Sequence, residues 1–129
     1  IGIATARGDG KVCLIEGDGS LLMHVQELET IQRQGIKLLI NIMNDGGYGA
    51  EFHKFRARSI EPRQAIHGRG DLAGLATGFG MRSASINTMG AMAGLFAEHE
   101  RANIATLWDV HTDDKIPSRS YRRVHYGEA

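Results

Sequence analysis

The stretch "KVCLIEGDGSLLMHVQELETIQRQGIKLLINIMNDGGYG" (residues 11–49) decides how this chain reads. Residues 11–16, KVCLIE, form a short apolar, β-branched run ahead of a Gly-Asp-Gly, which predicts a buried strand. Residues 20–34 predict a helix. Ser20 is placed to cap it, Leu21, Val25, Leu28 and Gln32 share one face with Leu22 and Ile31 beside them, and Gly35 suits its stop. Residues 37–43, KLLINIM, predict a second buried strand. A strand, a helix and a strand within roughly 30 residues make a βαβ unit, hence parallel pairing with a right-handed crossover.

Outward from that unit the alternation continues. Residues 1–7, IGIATAR, read as the tail of a helix, and a chain that starts at Ile1 reads as a piece of a longer one. Residues 46–70 are irregular and rich in Gly and Arg, with some helix expected over 50–58. Asp71 caps a helix that turns Leu72, Leu75 and Phe79 inward, and residues 82–86 predict a strand. Thr88 is read as the cap of a helix to Arg101 with Met89, Met92, Leu95 and Phe96 inward, and residues 103–110 predict the last strand. The expected fold is α/β, three-layered, a parallel sheet with helices on both faces. It comprises one domain over residues 1–115, lacking its N-terminal part, and a polar tail over 116–129.

Composition narrows the function. Basic and acidic residues number 15 each, which leaves no electrostatic footprint for nucleic acid or an acidic membrane surface. No apolar run approaches the ~20 residues of a membrane span. The single cysteine, Cys13, excludes an intrachain disulfide and a cysteine-based zinc site and fits a reducing cytoplasm; it is read as a small buried hydrophobe. Glycine is in excess, 17 of 129 residues, as tight turns and close backbone approach to a ligand require.

Gly-Asp-Gly occurs twice, at 8–10 and 17–19. In parallel α/β sheets ligands gather at the carboxyl ends of strands. The first copy precedes a strand and reads as a turn. The second follows the strand and opens a helix, where Gly19 admits a ligand to the backbone and the N–H groups around Ser20 face an anion. A carboxylate beside that anion, Asp18, is repulsive unless a hard divalent cation lies between them, and Mg²⁺ is the natural choice. Asp45 closes the next strand 27 positions after Asp18, whereas the same step from Asp9 lands on Ile36, which has no side-chain ligand.

Residues 17–51, GDGSLLMHVQELETIQRQGIKLLINIMNDGGYGAE, resemble the cofactor-binding motif of thiamine-diphosphate-dependent enzymes, in the C-terminal diphosphate-binding domain of the acetolactate synthase, benzoylformate decarboxylase and pyruvate decarboxylase group. The resemblance implies thiamine diphosphate and Mg²⁺ as cofactors. Asp18, Asp45 and the carbonyl of Gly47 match the metal ligands. Gly17, Asp18, Gly19, Ser20, Asn44, Asp45, Gly47, Tyr48 and Gly49 match the cofactor-binding stretch. Asp45 departs from the commoner Asn; it keeps an oxygen ligand and adds a charge, so one carboxylate pKa should rise without metal. Glu51 aligns with a Glu that faces the reacting centre in simple 2-oxo-acid decarboxylases, although the Tyr-Gly-Ala before it follows the benzoylformate-type pattern.

The implied activity is lyase or transferase chemistry on a small 2-oxo acid, decarboxylation or carboligation, carried by the cofactor. The implied partners are a pyrimidine-binding domain of the same or a neighbouring chain, and a homo-oligomer, with no nucleic acid and no membrane. A Rossmann-like nucleotide-binding domain is disfavoured because Leu22 stands where the third glycine belongs. A non-catalytic relic of the fold stays open.

Other residues have plainer readings. The six histidines show no metal-ligand spacing; His53 and His67, near the site, are candidates to face substrate. Met23, Met43, Met89 and Met92 are read as core, and Trp108 as core or subunit interface. Lys54, Arg56, Arg58 and Arg63 are read as a solvated loop, with an acidic substrate as the alternative.

Overall fold

A computed structural model describes residues 1–128. Four strands, β1 (Cys13–Gly17), β2 (Leu39–Asn44), β3 (Arg82–Ile86) and β4 (Thr106–His111), form one sheet in the order β1-β2-β4-β3. All three pairings are parallel, with Gly17 beside Met43 and Asn44 beside His111 at the carboxyl ends.

The helices α1 (Gly2–Arg7), α2 (Asp18–Met23), α3 (Glu27–Arg33), α4 (Gly49–Ala57), α5 (Leu72–Gly78) and α6 (Met92–Arg101) alternate with the strands. One face of the sheet carries Ile40, Ile42 and Leu107, packed with Ala4, Leu21, Leu28, Ile31, Leu72 and Ala76 from α1, α2, α3 and α5. The other face carries Leu39, Ile86 and Trp108, packed with Met92 and Leu95 of α6. Strand side chains alternate between faces, so each strand feeds both cores. The three-layer parallel arrangement expected from the sequence is the arrangement present.

Several local expectations are corrected. Strand β1 is an edge strand, not a buried one: it pairs with β2 alone, and the core packed by α6 reaches β2 at Leu39 but includes no residue of β1. Ile15 is therefore 67% exposed, and Cys13 is exposed as well. The helix expected over 20–34 is two helices. α2 starts with Gly17 at its cap, so Ser20 lies inside the first turn, its hydroxyl donating to the Glu16 carboxylate, and α2 and α3 are separated at His24–Gln26. Thr88 makes no side-chain cap; a 3₁₀ turn (Met89–Ala91) precedes α6 and leaves Met89 and Phe96 at the surface. Met23 and Met43 are likewise exposed, and Met81 is the buried methionine.

Two termini of helices match their expected chemistry. Asp71 accepts the Gly74 amide at 2.7 Å, and Gly35 follows α3 in the left-handed region at φ +59°.

The expected tail is not free along its described length. Residues Arg119–Tyr121 form a helical turn that continues as a π-helical stretch, Arg122–Tyr126. It rests on α4: the Tyr121 hydroxyl donates to the Ala50 carbonyl and the Tyr126 hydroxyl to the His53 carbonyl, the latter at 3.1 Å. Residue 129 of that segment lies outside the described residues. No helix among the described residues is long and apolar enough to cross a membrane.

Candidate functional site

The carboxyl ends of β1 and β2 lie side by side because β2 pairs in register with β1. The chain leaves β1 through Gly17-Asp18-Gly19 into α2, and leaves β2 through Asp45-Gly46-Gly47 into α4. Between these turns lies an open cavity of about 380 Å³, lined by Gly17, Asp18, Gly19, Ser20, Met43, Asp45, Gly47, Tyr48, Gly49, Ala50 and Glu51. Every residue expected to bind cofactor or metal lines it except Asn44, as does Glu51, whereas His53 and His67 do not.

Asp18 is 2% exposed, and its Oδ2 accepts the Gly46 amide at 2.9 Å. Asp45 accepts the Gly47 amide at 3.2 Å through Oδ1. Burial and then the Asp18 charge push the Asp45 carboxyl above its ordinary value, against the Gly47 amide, which pulls it down. That is the rise expected from an Asp at this position without metal.

The glycines make room for close approach. A Cβ on Gly19 would lie 2.8 Å from the Tyr48 ring and 3.6 Å from the Gly47 carbonyl oxygen. The Gly47 carbonyl therefore faces the Gly19 turn across the cavity. A Cβ on Gly49 would collide with Asp45 Oδ2. Gly46 takes φ +85°, which lets the chain turn sharply as it leaves β2 for α4.

These residues fit a hard divalent cation. The facing donors are oxygens only: two carboxylates and the Gly47 carbonyl. No cluster of three or more His, Cys, Asp or Glu suited to a metal exists among the described residues. Mg²⁺ is commonly held in this way, by one or two carboxylates with phosphate oxygens and water completing the shell.

Asn44 points elsewhere. It is fully buried, and its Nδ2 donates to Asp109 Oδ1 at 2.8 Å and to the Arg69 carbonyl at 3.1 Å, while its Oδ1 has no partner. Asp109 is 1% exposed, and His111 Nε2 lies 3.3 Å from its Oδ2. This buried group sits behind the Asp45 turn. Sequence reasoning did not find Asp109 or Arg69; the one signal available was a charged residue inside an otherwise apolar strand.

Ser20 and Glu51 both have other engagements. The Ser20 hydroxyl is bound to Glu16, so it must turn to meet an anion. Glu51, at the start of α4, pairs with Lys54 at 2.7 Å on the cavity rim. Arg56 lies over the Phe52 ring at 4.6 Å from its centroid and pairs with Asp114 at 3.1 Å. Of the two candidate histidines, His53 is buried against Phe52 and His67 lies beside Asp18.

Comparison with known proteins follows this geometry. Residues 1–110 match the family model described as thiamine pyrophosphate enzyme, C-terminal TPP binding domain. A putative acetolactate synthase large subunit from Mycobacterium tuberculosis is 34% identical over 88 residues, covering 68% of this chain and 16% of that protein. The 3D-(3,5/4)-trihydroxycyclohexane-1,2-dione hydrolase of Geobacillus thermodenitrificans is 29% identical over 138 residues, covering 93% of this chain and 21% of that protein. The structure of a thiamine diphosphate-dependent 4-hydroxybenzoylformate decarboxylase from Rhodococcus jostii superposes with a TM-score of 0.80 at 27% identity, covering 88% of this chain and 22% of that one. The chain thus spans about a fifth of the length of these relatives.

Proposed function

This chain belongs to the thiamine pyrophosphate enzyme family, matching its C-terminal TPP-binding domain, and on that premise we propose that residues 17–51 bind the diphosphate of thiamine diphosphate through Mg²⁺. The observation that carries the reading is the meeting of Asp18, Asp45 and the Gly47 carbonyl at one cavity. Asp18, Asp45 and Gly47 hold the cation through oxygen. Gly17, Gly19 and Ser20 bring backbone amides and a hydroxyl to the diphosphate.

Thiamine diphosphate, when bound, supplies an electron sink for the carbonyl carbon of a 2-oxo acid. The chain's own residues anchor and orient. Tyr48 and Gly49 form the wall beyond the metal turn, and Glu51 stands at the rim, where release from Lys54 would let it hold or move a proton near substrate. The whole protein's reaction is a decarboxylation or carboligation of a small 2-oxo acid, and the aminopyrimidine half of the cofactor is met by a pyrimidine-binding domain of the same or a neighbouring chain. The apolar side chains left at the surface along β1 and β2, Leu14, Ile15 and Met43 with Met23 and Tyr48, support assembly with such a domain and with further copies.

Isothermal titration of the whole protein with thiamine diphosphate, with and without Mg²⁺, tests this against NAD. The expected result is binding that requires the cation and no heat with NAD. NAD binding, or thiamine diphosphate binding indifferent to Mg²⁺ and chelator, would overturn it.

A further inference from the structure

We propose that Asp109 is a positioning residue of the cation site: through Asn44 it fixes the turn that carries Asp45 and the Gly47 carbonyl, so that divalent-cation affinity depends on a carboxylate outside the cavity. The proposal rests on the reading of residues 17–51 as a cofactor site and extends that site to the last strand of the sheet.

Asp109 is costly where it stands. Strand β4 is interior to the sheet, and Asp109 pairs in register with Ile42 of β2 and Ser85 of β3. Leu107 and Trp108, which precede it, are buried core residues, and Asp109 is itself 1% exposed. Burying a carboxylate costs desolvation, and an apolar side chain of like volume is often as good or better for stability. The contacts of the carboxylate show what it does instead. Its Oδ1 accepts Asn44 Nδ2 at 2.8 Å, and its Oδ2 lies 3.3 Å from His111 Nε2.

Asn44 is the last residue of β2 and directly precedes Asp45. Its side chain is fully buried and uses both Nδ2 hydrogens, one on Asp109 and one on the Arg69 carbonyl at 3.1 Å. Its main-chain carbonyl accepts the Thr112 amide at 2.9 Å and Arg69 Nε at 3.3 Å. The sheet thus grips the chain at the residue before the turn. Beyond that grip the turn meets the cavity: the Gly46 amide donates to Asp18 Oδ2 at 2.9 Å, and the Gly47 amide to Asp45 Oδ1 at 3.2 Å. The loop that contains Arg69 holds the same turn from outside, since the amides of His67 and Gly68 donate to the Gly46 carbonyl at 3.0 and 2.8 Å. One side chain, Asn44, therefore ties sheet, turn and loop together, and Asp109 is the acceptor in the sheet that fixes its direction. Without that acceptor the Asn44 amide is free to swing, and the turn and the loop lose their common anchor.

The test uses the whole protein and three variants. Asp109→Leu keeps the shape and removes the acceptor. Asp109→Asn keeps an oxygen for Asn44 Nδ2. The double variant Asn44→Leu/Asp109→Leu removes both partners of the bond, which leaves no orphaned amide and is far less costly than removing one. Mn²⁺ binding in the presence of thiamine diphosphate is followed by electron paramagnetic resonance, with Tm measured without cation and cofactor. Asp109→Leu should weaken Mn²⁺ binding about tenfold, the low end for groups that surround a metal's ligands, and should lower Tm. Asp109→Asn should bind Mn²⁺ much as the parent does. The double variant should regain Tm without regaining affinity, a separation that a merely structural role does not produce. Parent-like Mn²⁺ binding by Asp109→Leu or by the double variant would overturn the proposal while leaving the cofactor reading intact. A loss in Asp109→Asn as large as in Asp109→Leu would also overturn it, since the hydrogen bond would then not be the cause. If Asp109→Leu does not fold, the double variant and Asp109→Asn decide by the same readings. Absence of Mn²⁺ and cofactor binding in the parent protein would overturn the cofactor reading and this proposal together.

Discussion

The two Gly-Asp-Gly turns stand at opposite ends of one five-residue strand, and each lines a cavity. Asp9 and Gly10 border one of about 430 Å³ together with Lys11, Cys13, Lys37, Phe96 and His99. Gly17, Asp18 and Gly19 border the one of about 380 Å³. The first cavity is the larger, yet its carboxylate is neutralised locally. Asp9 pairs with Arg7 at 2.7 Å and accepts the Lys11 amide at 3.0 Å, and these contacts hold its carboxyl down at about 2. Asp18 has no arginine partner. It is buried beside a second carboxylate, Asp45, which its charge helps push upward. A carboxylate with its own counter-ion closes a turn, and a buried carboxylate beside a half-buried one calls for a cation. The identical tripeptides differ because the strand between them aims them at opposite sheet edges.

The strongest way to break this comparison is to make the same change in both copies. Asp18→Asn should reduce cofactor and Mg²⁺ affinity by more than about 100-fold, since it strips the charge from a residue proposed to ligate directly, where outer partners alone cost 10- to 100-fold. Asp9→Asn should leave both affinities unchanged. Equal losses in calorimetric titrations of the two variants would erase the distinction.

The glycines sharpen it next. Gly19→Ala drives the Tyr48 ring off its wall, and cofactor affinity should fall about tenfold, equivalent to about 1.4 kcal/mol. Gly10→Ala meets only the flexible stem of Lys37 but strains a φ of +67°, so it should cost roughly 1 kcal/mol of stability and no affinity. Denaturant melts and titrations on the pair separate the two effects.

Asp45→Asn probes the crowded carboxylates without metal. The folded chain binds the Asp45 proton more tightly than the unfolded chain does. The folded state is therefore favoured while that group is protonated, and the advantage is lost as pH rises from the ordinary value of 3.8 through the raised one. Metal-free Asp45→Asn should melt higher than the parent at neutral pH and lose that part of the pH slope. An unchanged Tm–pH curve in the variant would show that Asp45 is not crowded.

The smallest effect belongs to Asp9. Its folded value is depressed, so its contribution is present above 3.8 and is lost as pH falls through about 2. Asp9→Asn should alter Tm little at any pH, with what difference there is confined to neutral and mildly acidic solution and gone at pH 2, because an exposed pair is weak.

Much of this site was legible along the chain because its parts are local. Gly17-Asp18-Gly19 and Asp45-Gly46-Gly47 sit at the ends of strands that periodicity marks, and one βαβ crossover brings those ends together. Ser20 shows the limit of local reading: a serine at a helix start is a sound cap, but Glu16 takes its hydroxyl. Met89 and Phe96 show another, because helical spacing names a face without saying how wide the sheet beneath it is.

By itself, then, the sequence determined the alternation of strands and helices, the parallel sheet and the family to which the chain belongs, and it pointed to the second Gly-Asp-Gly as the site proposed here. Only the tertiary structure decided that β1 lies at the edge with Ile15 and Cys13 exposed, that Asn44 turns to Asp109, that the terminal segment rests on α4, and that His67 stands against Asp18. The reason is physical. Hydrophobic period reports which residues share a face, but not which strands are neighbours, so it cannot distinguish an edge strand from a central one. Contacts such as His67 with Asp18, or Asn44 with Asp109, join segments far apart in the chain, and they exist only once the sheet order and the loop's hydrogen bonds are set.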